Sequence, residues 1–112
     1  MKTAVRKAGE VVILDLQGRL VVGDGDQQLR ETIDRLLSEG ERKIVLNLAA
    51  VPAIDSSGVG ELVSSKKVAE GVGAKLKLLV AHGRVRHVLD AMLLLPVFES
   101  FEDEAAVLAS FS

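Results

Sequence analysis

The sequence predicts a single α/β domain over residues 1–112, built on a mostly parallel mixed sheet of about 4–5 strands with about 4 helices. Three observations carry that expectation. Apolar runs of strand length alternate with segments of helical periodicity. Glycines punctuate the joints, with Gly9, Gly18, Gly40, Gly71 and Gly73 each closing such a segment. Finally, Lys43-Ile44-Val45-Leu46-Asn47-Leu48 is nearly unbroken in its apolarity, as expected of a strand covered on both faces.

Residues 3–8 form a short edge strand ending near Gly9. Val11 to Leu16 follow as a second strand, closed by Gly18. Gly23-Asp24-Gly25-Asp26 is a flexible segment carrying a good helix-starting acid. Leu29, Ile33, Leu36 and Leu37 give the i, i+4, i+7, i+8 stripe of an amphipathic helix, stopped by Gly40. After the Lys43–Leu48 strand, Val59, Leu62, Val63 and Val68 recur at near-helical spacing, so a helix starts at Ser56 or Ser57 and ends at Gly71 and Gly73. Leu76 to Val80 is the next strand. Val85, Val88, Leu89 and Met92 mark a third helix that runs out before Pro96. Val97 to Phe101 reads as a last short strand, and Glu102 to Ala109 as a terminal helix. Strand–helix alternation implies sequential right-handed crossovers, with function gathered at the carboxyl ends of the strands. The turn at Asp55 lies at that end.

Composition narrows the function classes. The chain has 112 residues, 48% of them hydrophobic, a length that buries roughly 65% of the unfolded surface without staples. With 14 basic and 16 acidic residues, and neither Trp nor Tyr, it lacks the charge and stacking surface of a nucleic-acid binder. The absence of cysteine excludes disulfides and thiolate metal sites and fits a reducing cytoplasm. No apolar run approaches the ~18 residues of a membrane span. The basic N-terminus leads only to Val11–Leu14, cut short by Asp15, so no signal peptide and no membrane insertion are expected. Lys66, Lys67, Lys75, Lys77, Arg84, Arg86 and His87 read as a solvated basic side. Leu93-Leu94-Leu95-Pro96-Val97 is more apolar than a loop needs, which implies core packing at a helix end, any exposed part marking a contact for a partner or for self-association.

The stretch that carries chemistry is Asp55-Ser56-Ser57-Gly58-Val59-Gly60, between a buried strand and an amphipathic helix. Two hydroxyls and a carboxylate meet the orphan N–H groups and positive dipole end of that helix. Such a place suits an anion, including a phosphate carried on a serine. N-capping is the simpler role for these residues and is compatible with modification of one of them. Ser57, one residue deeper, is the structural candidate. Val51, Ala53, Ile54 and Val59 offer apolar contacts, and Gly58 and Gly60 allow a partner's backbone to approach. A hydrolase is disfavoured: Gly-x-Ser-x-Gly is absent, and His82 and His87 are the only imidazole bases. Gly23-Asp24-Gly25 and Gly58-Val59-Gly60 complete neither a Walker loop nor a dinucleotide fingerprint. Asp24, Asp26 and Glu31 lack a metal-ligand pattern. No catalytic residue, metal or cofactor is expected.

In this setting the chain resembles the STAS domain family of bacterial anti-sigma factor antagonists. The resemblance rests on Ile44-Val45-Leu46-Asn47-Leu48 and then Val51-Pro52-Ala53-Ile54-Asp55-Ser56-Ser57-Gly58-Val59-Gly60. This is similar to the family's apolar strand, short apolar linker and Asp-Ser-Ser-Gly-(apolar)-Gly, and the order of elements agrees over essentially the whole chain. It implies a STAS-type fold and a partner switch without catalysis. The unmodified protein would bind an anti-sigma factor with serine kinase activity. That kinase would phosphorylate Ser56 and weaken the complex, and a metal-dependent serine phosphatase would restore it. Asp55, Ser57, Gly58 and Gly60 would form the switch turn. Val59 and Leu62 would anchor the helix and, with Ile54 and Asp24, contribute to partner binding. In Gly18-Arg19-Leu20-Val21-Val22-Gly23-Asp24, Val21 stands where many members carry Asp, a departure that bears on partner identity more than on the phosphoacceptor. The runner-up is a structural STAS subunit of a larger stress-signalling or lipid-transport assembly, with no required phosphorylation cycle.

Overall fold

In the computed structural model, which describes residues 1–112, the fold opens with a hairpin. β1 (Lys2–Ala8) and β2 (Val11–Gln17) pair antiparallel about Gly9, whose φ of 64° suits a residue without a Cβ. There follow α1 (Asp26–Ser38), β3 (Lys43–Ala50), α2 (Ser56–Gly71), β4 (Lys75–Leu79), α3 (Arg84–Ala91), β5 (Ser100–Phe101) and α4 (Glu104–Ala109). The strand order is β1-β2-β3-β4-β5, and every pairing after the first is parallel. The expected α/β domain with a mostly parallel mixed sheet forms, with five strands and four helices where about 4–5 and about 4 were expected.

Strand alternation divides the core. Val12, Leu14 and Leu16 of β2, Ile44, Leu46 and Leu48 of β3, and Leu76 and Leu78 of β4 pack together on one face. They meet Leu29, Ile33, Leu36 and Leu37 of α1, Val59, Leu62 and Ala69 of α2, and Val85 and Leu89 of α3. On the opposite face Val11, Ile13, Val45 and Leu79 lie against Val107 of α4, with Phe101, Leu108 and Phe111 alongside. The β3 run is therefore covered on both faces, as its sequence requires.

Four expectations need correction. Of the strand expected over Val97–Phe101, only Ser100 and Phe101 pair with β4. Left-handed backbone at Leu93 (φ 58°) and Glu99 (φ 52°) bends the chain between α3 and β5, and Phe98 turns inward to fill the core. Core packing in the apolar stretch before it is partial, since Leu94 and Leu95 rest on the core while Leu93 is 78% exposed. The stripe on α2 is also displaced: Ser65 and Ala69 are buried, whereas Val68 is 44% exposed.

Lys77 is the fourth. It leaves the basic side altogether, being only 4% exposed on the face under α4. Its Nζ donates to the Ser110 carbonyl (3.1 Å) and hydroxyl (3.0 Å), pairs with Glu99 (3.2 Å) and lies 4.5 Å from the Phe111 ring centroid. Arg6 ties the same helix from the hairpin. Its guanidinium bonds both Asp15 oxygens and reaches Glu104 Oε1 at 2.8 Å, holding the Asp15 carboxyl below the usual carboxylate range.

Phe98 is the largest side chain wholly removed from solvent. Replacing it, Phe98→Ala, should lower stability by about 3–5 kcal/mol through lost burial and a residual cavity. Urea denaturation followed by circular dichroism measures this as a lower midpoint at unchanged slope.

Candidate functional site

The site is built where the β2–α1 and β3–α2 connections leave the sheet side by side. Gly18 N–H donates to the Ala50 carbonyl (3.1 Å) and Leu20 N–H to that of Ala53 (3.0 Å), extending the β2–β3 pairing beyond both strands. Leu20 bridges Ile54, and Leu20 is fully buried beneath the crossing. Any side chain on Gly58 is excluded by this approach. A Cβ there would stand 2.1 Å from the Leu20 carbonyl oxygen and 2.8 Å from Ile54 Cγ1.

Asp55 holds the crossing together. One carboxylate oxygen accepts from Gly58 N–H (2.9 Å), capping α2, and the other accepts from Val22 N–H (3.1 Å) in the neighbouring connection. These amides, the Gly58 amide foremost, hold the Asp55 carboxyl below its ordinary value. Asp26, first residue of α1, makes the second link. Its Oδ1 accepts from Gly23 N–H (3.1 Å) and Gln27 N–H (2.8 Å), and its Oδ2 accepts from the Ser57 hydroxyl (2.9 Å). The Gln27 amide and then the Ser57 hydroxyl lower its pKa also. One turn further along both helices, Arg30 grips Glu61 through two hydrogen bonds of 3.1 and 2.8 Å.

These contacts sort the expected site residues. Asp55 and Ser57 are clasped inside the turn, and Ser56 is exposed and enters none of its side-chain hydrogen bonds. Gly60 is exposed with open space about it, and Ile54 is half-buried. Val59 and Leu62, expected at a partner's surface, are instead buried in the core with Val51, because the Asp55 cap turns that face of α2 onto the sheet. Gly58 is likewise buried, and its missing Cβ serves the crossing with Leu20 rather than a partner's approach. Asp24 is part-exposed and pairs with Arg19 at 3.3 Å.

Two participants escaped the sequence reading. Val22, 69% exposed, stands beside Asp55 as the apolar projection of the site; the run Leu20-Val21-Val22 before a glycine was its only signal. Asp26 was legible as a helix-starting acid but not as the partner of a serine 31 residues away. Chemically, the site presents a free hydroxyl at a helix N-terminus with no imidazole bonded to it. His82 pairs instead with Glu102 at 3.0 Å, beyond β4. No three His, Asp or Glu side chains converge as a metal site, and no helix is long and apolar enough to cross a membrane.

The STAS domain family model matches residues 2–107. Among solved structures, a candidate anti-sigma factor antagonist from Thermotoga maritima is 23% identical over 96% of this chain and 92% of its own, with a TM-score of 0.87. An anti-sigma factor antagonist from Mycobacterium paratuberculosis, 15% identical over 97% of this chain and 92% of its own, gives 0.83. The phosphorylated form of the Bacillus cell fate determinant SpoIIAA, 24% identical over 97% of this chain and 99% of its own, gives 0.71. At these identities the likeness is one of fold. No curated protein matches the sequence.

Two glycines in one motif should respond oppositely. Gly58→Ala should destabilise by about 1–3 kcal/mol through overpacking against Leu20, whereas Gly60→Ala, on an open helical position, should stabilise by about 0.5–1 kcal/mol. Thermal denaturation of the two variants reads the signs. Acid should loosen the same turn. A carboxyl held below its unfolded pKa of about 4 stabilises fully above that value and loses its contribution as pH falls through the lowered folded one. Asp55→Asn keeps a capping oxygen but cannot titrate, so it should flatten the acid limb of Tm against pH.

Proposed function

The chain belongs to the STAS domain family, and from that premise we propose that it is a cytoplasmic anti-sigma factor antagonist switched by phosphorylation of Ser56. Unmodified, it binds an anti-sigma factor with serine kinase activity. Phosphorylated by that kinase, it is released, and a serine phosphatase returns it to the binding state. The protein itself catalyses nothing.

The observation that supports this reading best is the freedom of Ser56 within an otherwise fully engaged turn. Asp55 makes the cap and Ser57 makes the link to α1, so the Ser56 hydroxyl is exposed at a helix N-terminus the fold does not need it to stabilise. A phosphate there adds about −1.5 to −2 charge. Within its own domain the charge is tolerated, since the helix end favours an anion by ~0.3–1 kcal/mol. Against a partner's surface it is not. Burying a poorly paired charge in an interface costs several kcal/mol, and a difference of ~2.7 kcal/mol lowers affinity a hundredfold. Val22 and Ile54, beside the serine, are the apolar contacts such an interface would cover.

Intact mass of the protein from its native cell, with and without phosphatase treatment, should show a removable phosphate that maps to Ser56. Ser56→Ala should retain affinity for the anti-sigma factor, while Ser56→Asp should weaken it at least about tenfold. Equal binding by Ser56→Asp and wild type would remove the switch and favour a structural subunit.

A further inference from the structure

Two adjacent serines face the same kinase, yet the turn treats their hydroxyls differently. We propose that Asp26 is the residue that confines phosphorylation to Ser56, by withholding Ser57 from phosphoryl transfer; this rests on the phospho-switch reading above and specifies its acceptor. In the transfer, a serine Oγ bonds the γ-phosphorus of a nucleoside triphosphate and the bond to the bridging oxygen breaks. The nucleoside diphosphate leaves, and the hydroxyl proton passes to a base of the kinase. Ser57 is barred from this on three grounds.

Its proton is already committed to Asp26 Oδ2 at 2.9 Å, which fixes the hydroxyl's direction. The carboxylate occupies the space on that side of Oγ and repels the incoming polyphosphate. Nor does Asp26 serve as a base for Ser57 in its own right. It is held by the Gly23 and Gln27 amides, and a carboxylate so stabilised is a weak proton acceptor. Ser57 is also half-buried, while Ser56 is exposed and unbonded. Asp26 is thus a positioning and selectivity residue, touching the rejected hydroxyl and not the reacting one.

Two measurements test this. First, phosphosites are mapped by peptide mass spectrometry on the full-length wild type and on Asp26→Asn and Asp26→Ala, each expressed in the native cell. Modification confined to Ser56 in the wild type, with the Ser57 to Ser56 ratio rising about tenfold in Asp26→Ala, is expected. Asp26→Asn keeps a neutral acceptor for Ser57 and should fall between them. A Ser57 phosphate in the wild type, or a ratio unmoved in Asp26→Ala, overturns the proposal.

The second measurement needs no kinase. Phosphoserine is installed at position 56 or 57 by genetic-code expansion, and each phosphate is titrated by phosphorus NMR with and without Asp26→Asn. The second pKa of the phosphate at 57 should fall by about half a unit when Asp26 is neutralised, while that at 56 moves less. An unchanged value at 57 overturns the proposal. Should cells yield no phosphate on either serine in any variant, the switch reading fails, and this titration alone decides whether Asp26 guards Ser57.

Discussion

One carboxylate, that of Asp55, is shared between two backbone amides on different connections, and the candidate site depends on it. The Gly58 amide belongs to the helix that Asp55 begins, whereas the Val22 amide belongs to the loop before α1. A cap that served α2 alone would satisfy an orphan donor and no more. By accepting from Val22 also, Asp55 converts a local cap into a tertiary tie, fixing where two loops lie relative to each other. The absence of a Cβ at Gly58 is the steric condition for that tie, since Leu20 passes directly over it. Sequence, backbone and site are therefore bound by one requirement: an acid three residues before a glycine.

The sheet supplies the rigid base for this arrangement. Its helix face carries α1, α2 and α3 on an apolar core from three parallel strands, and α1 and α2 run alongside with contacts at a constant sequence offset. Asp26 meets Ser57 and Arg30 meets Glu61, each pair separated by 31 residues. The second rung is asymmetric. Glu61 is nearly buried and its guanidinium partner is mostly solvent-facing, so the seam depends on an exposed side chain to neutralise an enclosed one. On the opposite sheet face Val107 and Leu108 of a short terminal helix pack in the smaller apolar cluster, and Lys77 and Arg6 add polar ties to that helix.

How much of this was legible in the sequence follows from the range of the interactions. The stripe Leu29, Ile33, Leu36 and Leu37 and the run Ile44 to Leu48 are local patterns, and the helix and strand they specify formed within a residue or two of expectation. The cap was legible too, because Asp55 and Gly58 belong to one turn. What failed depended on distant partners. Val68 matched the helical period as well as Ala69 does, and only the orientation imposed by the Gly58–Leu20 contact decides which is buried. Lys77 has the chemistry of a surface residue, and nothing near it in sequence reveals the C-terminal oxygens and rings that enclose it. Val59 and Leu62 were assigned both to the core and to a partner; one helix face cannot serve both, and the core takes it.

Under the proposed switch, the same geometry would let the fold carry a charge at position 56. Of the first-turn amides of α2, that of Gly58 is taken by the Asp55 side chain and that of Val59 by the Asp55 carbonyl. The Ser57 amide also helps hold the Asp55 carboxylate, and the Ser56 amide precedes any intrahelical acceptor. The dipole's positive end and those amides oppose the repulsion from Asp55 and Asp26, whose own charges are already neutralised in part by the donors they hold. Under that proposal the added charge would be balanced inside the domain and unbalanced toward a surface laid over Val22 and Ile54. In the proposed switch such a face would act through its partner's desolvation, and the rigidity conferred by Asp55 and Gly58 would keep the response there.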